Sequence, residues 1–187
     1  NIRYFTVVAN LLLALVSFIS IIFNIKSIAT GKKLPKAITV LKLMVTANVT
    51  IVLLSMIMYL LPEGKESYIA TLKDSSLISA FSLLHFVSPA LAIISFLFFD
   101  HSEKTKFPIN FVSLIPLVLY GAFYILNYKL EFMTIEPADE SILTDWYGFT
   151  YFNNIAISIV LFVALIVVLF FISFLYWFIN KVLNKAY

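Results

Sequence analysis

The chain has 187 residues, 62% hydrophobic and 12% charged, with a net charge of +3 and a mean hydropathy of +1.02. A soluble core of that length cannot hide so much apolar surface, so lipid must serve as solvent. The absence of cysteine excludes disulfides and thiolate chemistry, and two distant histidines, His85 and His101, are too few for a histidine-based metal cluster.

A bilayer core requires about 20 apolar residues in helical form. Five segments meet that length, near 4–25, 37–61, 77–99, 107–127 and 152–183. They predict an all-α, polytopic transmembrane bundle occupying 1–187 as a single domain. In the first segment, Thr6 lies close to the membrane surface and Asn10 sits one turn deeper on the same face. In the second, Lys42, Thr46 and Thr50 form an i, i+4, i+8 stripe. A snorkelling lysine above bundle-facing hydroxyls accounts for it without further function.

The third segment carries His85, the one ionisable side chain deep in any of the five. Pro89 follows four residues later and has no amide proton to give the His85 carbonyl. A kink is therefore expected there, with that carbonyl freed for a neighbouring helix. His85 itself is either a functional group or a hydrogen-bonding link between helices. In the fourth segment Tyr120, Tyr124 and Asn127 share a stripe. They line either a pocket or a packing seam. The fifth begins among Trp146, Tyr147, Tyr151, Asn153 and Asn154, a composition that fits an interfacial belt.

The lysine count sets the orientation. Lys26, Lys32, Lys33 and Lys36 at the first connection with Lys42 just inside the second segment, Lys104 and Lys106 at the third connection, and Lys181 and Lys185 at the tail all fall on one side. The opposite side holds the acidic loops. This places the C-terminus in the cytoplasm and Asn1 outside, in a cell membrane. An outside start without a cleavable signal is unusual, and a helix preceding Asn1 would resolve it, giving six helices. Thr6, Asn10, His85, Tyr120, Tyr124 and Asn154 then all lie towards the outer leaflet.

No Walker loop, dinucleotide-binding turn, HExxH or GxSxG motif occurs. No carboxylate lies at mid-membrane depth, which argues against a proton relay built on buried acids. The scattered basic residues give no nucleic-acid footprint. The residues call for no metal and no cofactor, and they leave the oligomeric state open.

Four stretches together resemble the androgen-induced/FAR-17a-like membrane proteins and their bacterial Pr6Pr-type relatives. Tyr4-Phe5-Thr6-Val7-Val8-Ala9-Asn10 is similar to their aromatic-aromatic-Thr-x-x-small-Asn opening. Leu84-His85-Phe86-Val87-Ser88-Pro89 resembles their His-before-Pro helix. Ile115-Pro116-Leu117-Val118-Leu119-Tyr120 resembles their fourth segment, and Trp146-Tyr147-Gly148-Phe149-Thr150-Tyr151-Phe152 their Trp-Tyr stretch. Ile94 and Ser95 stand where many relatives carry an acid. The resemblance implies an intramembrane hydrolase of lipid esters, similar to those acting on fatty acid esters of hydroxy fatty acids. Thr6 would be the nucleophile and His85 its base. Asn10, Tyr120, Tyr124 and Asn154 are candidates for binding substrate or its oxyanion. The partner is a membrane lipid or fatty acyl ester. The alternative is a non-enzymatic lipid-binding, sensor or transport component in which Thr6 and His85 merely knit two helices.

Overall fold

The computed structural model describes residues 4–32, 34–60, 80–99, 106–130 and 155–183. They form five helical segments, and no strand occurs among them. Helix α1 is Phe5–Thr30. Helix α2 is Lys36–Ser55, prolonged by a π turn over Met56–Leu60. Helix α3 (80–99) starts as Ala80–Ser82, widens into a π turn at Leu83–Val87 and returns to α geometry over Ser88–Phe99. Helix α4 (107–130) begins as a 3-10 stretch, Phe107–Leu114, and continues as α over Ile115–Leu130. Helix α5 is Ile155–Leu183.

The fold is a polytopic transmembrane bundle. Four helices are long and apolar enough to cross a membrane, and the third has a shorter apolar run, Leu83–Phe99. The helices differ from the predicted segments mainly at their ends. Helix α1 runs to Thr30 instead of 25, because nothing breaks it before Gly31. Gly31 adopts the left-handed conformation (φ 64°) that terminates helices, at little steric cost for glycine. Lys26 therefore belongs to the last turns of α1, not to the connection. Pro35, extended at φ −60°, then feeds the start of α2. Helix α4 continues to Leu130, three residues past the predicted end.

Helix α2 is the hub and packs against all four others. Of its most apolar stretch 61% is buried, against 22% for α1, 33% for α4 and 28% for α5. Every residue from Val45 to Val52 is buried. Helix α2 carries the polar side chains Thr39, Thr46, Asn48 and Thr50, all buried, and the centre of the bundle is where such groups find partners that lipid cannot supply. Helix α1 exposes Leu11, Leu15, Phe18, Ile22 and Ile25 on one face, and α5 likewise exposes Val160, Val163, Val167 and Phe171. With lipid as solvent, such faces need no protein cover.

Close approach sets the α4–α5 seam. A Cβ on Gly121 would stand 2.9 Å from two ring carbons of Phe162. The missing side chain lets that ring lie on the α4 backbone.

Candidate functional site

The site is built on a backbone irregularity in α3. In an α-helix the Leu84 carbonyl would accept from the Ser88 amide, but here that amide donates to Leu83, one residue further back. In this π register the next donor is residue 89, and Pro89 has none. The orphaned carbonyl is thus that of Leu84, one residue before the one expected from Pro89 alone. Asn10 of α1 satisfies it: its Nδ2 donates to the Leu84 carbonyl at 3.0 Å. The same Nδ2 also donates to the Thr6 carbonyl at 2.8 Å, which confirms that Thr6 and Asn10 share a face. Both acceptors are carbonyls, so the amide orientation is fixed by chemistry. The Asn10 Oδ1 is left buried without a donor among the described residues.

This bridge makes α1 and α3 direct neighbours at the level of Thr6 and His85. Both side chains are half-buried. The His85 Nδ1 lies 2.9 Å from the Phe81 carbonyl, and the Phe81 and His85 rings lie tilted by 35° with centroids 4.6 Å apart. A carbonyl only accepts, so Nδ1 carries the proton and Nε2 of the neutral ring keeps its lone pair. Both amide protons of Asn10 are committed to carbonyls. In this conformation Asn10 positions two helices and has no proton left for an oxyanion.

A cavity of about 640 Å³ lies beside the bridge, between α1, α2 and α3. Asn10 and Leu84 line it, together with Lys42 and Thr46 of α2 and Ser88 and Ser95 of α3. Thr6 and His85 are not among its lining residues. The expected shared cavity is thus lined by Asn10, but the described walls do not include the Thr–His pair.

Tyr120 and Tyr124 are buried and point into the bundle, as does Asn127. They are not among the residues that line this cavity. Tyr120 packs on Phe5 of α1 with centroids 5.1 Å apart, and Tyr124 on Phe162 of α5 at 5.6 Å. Asn154, Asn153, Tyr151, Tyr147 and Trp146 lie outside the described residues, as does His101.

Sequence reasoning missed a second polar cluster on α2, α4 and α5. Asn48 repeats the Asn10 device. Its Nδ2 donates to Met44 one turn back at 2.7 Å and to the Ser113 carbonyl of α4 at 2.8 Å. Ser113 lies in the 3-10 stretch, where the i+3 donor would be residue 116, again a proline. Beside it the Ser173 hydroxyl donates to the Ser113 Oγ at 2.9 Å. One turn on, Thr50 gives its proton to the Thr46 carbonyl at 2.7 Å. The Tyr176 hydroxyl, 2.8 Å away, must then be the donor to Thr50. The legible signal was the pairing of an asparagine in an apolar helix with a proline in another.

These features define a multi-pass helical membrane protein whose helices are tied by asparagine-to-carbonyl bridges. Comparison with known proteins yields no match to a family model, a curated protein or a solved structure.

Proposed function

We propose that the protein is an intramembrane hydrolase of lipid esters, with Thr6 as nucleophile and His85 as base, in the manner of the FAR-17a-like proteins its motifs resemble. The observation that carries this reading is the Asn10 bridge, which ties the turn of Thr6 to the turn of His85. The Nδ1 contact to Phe81 supports it by leaving Nε2 as the basic nitrogen.

In the proposed reaction the Thr6 Oγ attacks the ester carbonyl while His85 Nε2 takes the hydroxyl proton. Collapse of the tetrahedral adduct breaks the ester bond, and His85 passes that proton to the departing alcohol. Water then attacks the acyl-threonine, giving one proton to His85. The fatty acid leaves and Thr6 recovers its proton. An oxyanion donor is required, and the candidates that remain are Tyr120, Tyr124 and Asn154. The substrate's acyl chains partition to this depth unaided. With the lysine-rich side in the cytoplasm, the site lies towards the outer leaflet of the cell membrane.

The test is labelling by a fluorophosphonate probe in membranes. Wild-type protein and Thr6→Ser are expected to label, and folded Thr6→Ala is not. Equal labelling of wild type and Thr6→Ala, or none in either, would leave a non-enzymatic lipid-binding, sensor or transport component as the reading.

A further inference from the structure

The cavity between α1, α2 and α3 continues the face of α1 that carries Thr6. Thr6, Asn10, Leu13 and Ser17 recur at i, i+4, i+7 and i+11, and the last three line the cavity. On α3 the wall begins at Leu83 and Leu84, immediately before His85, and runs through Ser88 and Leu91 to Ser95. Helices α1 and α3 are tied at the π turn, where Asn10 reaches Leu84. Beyond that turn, towards the α1–α2 connection, a cleft opens between them with α2 as its back wall. From Thr6 to Ser17 on one wall, and from Leu84 to Ser95 on the other, is eleven residues, roughly 16 Å at the rise of an α-helix. Between the ends Leu11, Leu13, Ala14, Leu91 and Ala92 offer only apolar contact. At the far end Ser17, Ser95 and Lys42 enter the lining. The rim is apolar and open, since Leu11 is 54% exposed and Leu91 is 62% exposed.

We propose, resting on the hydrolase reading, that this cleft seats the acyl chain of the substrate ester and selects chains of medium length. The acyl-threonine must hold its chain in place while the alcohol departs and water attacks. A chain joined to the Thr6 Oγ meets the cleft one turn down the same face, at Asn10. An extended chain advances about 1.3 Å per carbon, given C–C bonds of ~1.5 Å in a zigzag, so a path of this length holds roughly twelve carbons. A longer chain would carry its end past the apolar walls to Ser17, Ser95 and Lys42. A volume of about 640 Å³ falls in the ~300–1,000 Å³ range of small-molecule sites. The open rim admits the chain sideways from the bilayer.

The experiment measures labelling by alkyl fluorophosphonates with butyl, octyl, dodecyl and hexadecyl chains on phosphorus, using full-length protein in liposomes. Each rate is taken per probe in the membrane, so that partitioning does not pass for selectivity. Wild type is expected to label fastest with the dodecyl probe, about tenfold or more above butyl, and Thr6→Ala with none. Ala14 is an exposed lining residue two turns below Thr6. Ala14→Phe should therefore unfold at the wild-type temperature, shorten the cleft and move the optimum to octyl or below. A second measurement needs no catalysis. A methyl dodecanoate with a diazirine at its terminal carbon should cross-link Thr6→Ala at the turns of Ser17 and Ser95. Thr6-dependent labelling that rises steadily through hexadecyl, or an optimum unmoved in Ala14→Phe, would overturn the chain site and leave the hydrolase standing. So would cross-links spread over the lipid face of α5. No Thr6-dependent labelling by any probe would overturn the hydrolase and this use of the cleft with it, wherever the diazirine lands.

Discussion

The side-chain amide of Asn10 donates to the main-chain carbonyl of Leu84 at 3.0 Å, joining α1 to α3 at the π turn that precedes Pro89. An unpaired carbonyl in hydrocarbon costs several kcal/mol, so the proline in α3 and the asparagine in α1 form one unit. Asn48 and Ser113 repeat the arrangement between α2 and α4, ahead of Pro116. Interhelical bonds of this kind are worth about 0.6–2 kcal/mol in membranes.

That unit predicts a coupled pair. Asn10→Ala should lower stability by about 1–3 kcal/mol by leaving the Leu84 carbonyl without a donor. In a Pro89→Ala background residue 89 regains an N–H, and the same Asn10→Ala change should cost about 1 kcal/mol less. Unfolding of all four proteins in detergent gives the cycle. Strictly additive losses would mean that Asn10 and Pro89 act independently.

The Gly121 contact makes a second stability test. A Cβ at that position meets the Phe162 ring at 2.9 Å, and the ring is held by Tyr124 on its other contact. Gly121→Ala should therefore destabilise by about 1–3 kcal/mol, the usual cost of overpacking. Phe162→Leu should relieve most of that cost in the double variant. A Gly121→Ala protein as stable as wild type would show that the α4–α5 seam is not close-packed there.

Hydropathy made the bundle legible because lipid imposes a length and an apolar composition on every spanning helix. It located Asn10, Tyr120, Tyr124 and Asn127 on inward faces through their 3.6-residue spacing, and all four are buried. It did not reveal partners. Pro89 announced a freed carbonyl, but which one depends on the π register, a property of the folded backbone. Asn48, Ser113 and Ser173 looked unremarkable singly, because their cluster joins residues 65 and 60 positions apart. The cleft was invisible for a similar reason. Lys42 read as a snorkelling side chain, and only the divergence of α1 from α3 shows what it faces.

The proposed orientation rests on the lysine distribution and is tested by labelling. The chain has no cysteine, so single substitutions give clean signals. A cysteine at Lys33 should be shielded from an impermeant thiol reagent in intact cells, and one at Glu140 should react. The reverse pattern would invert the bundle and move Thr6 and His85 to the cytoplasmic leaflet.

His85 offers the test that separates catalysis from helix packing. Its Nδ1–H holds the Phe81 carbonyl, a local bond that an asparagine amide at position 85 can imitate in direction and reach. Asparagine has no counterpart of the Nε2 lone pair that the proposed reaction uses as its base. If His85 serves only to secure its own turn, His85→Asn should behave as wild type in every assay. If it is the base, His85→Asn should unfold at the wild-type temperature yet lose fluorophosphonate labelling of Thr6 by 10²-fold or more, the order of a general base's contribution. His85→Ala completes the comparison. It removes both nitrogens, so it should lose the labelling and also fall in stability by about 1 kcal/mol. A His85→Asn protein that is stable and labels fully would assign His85 to packing, and with it remove the base that Thr6 requires.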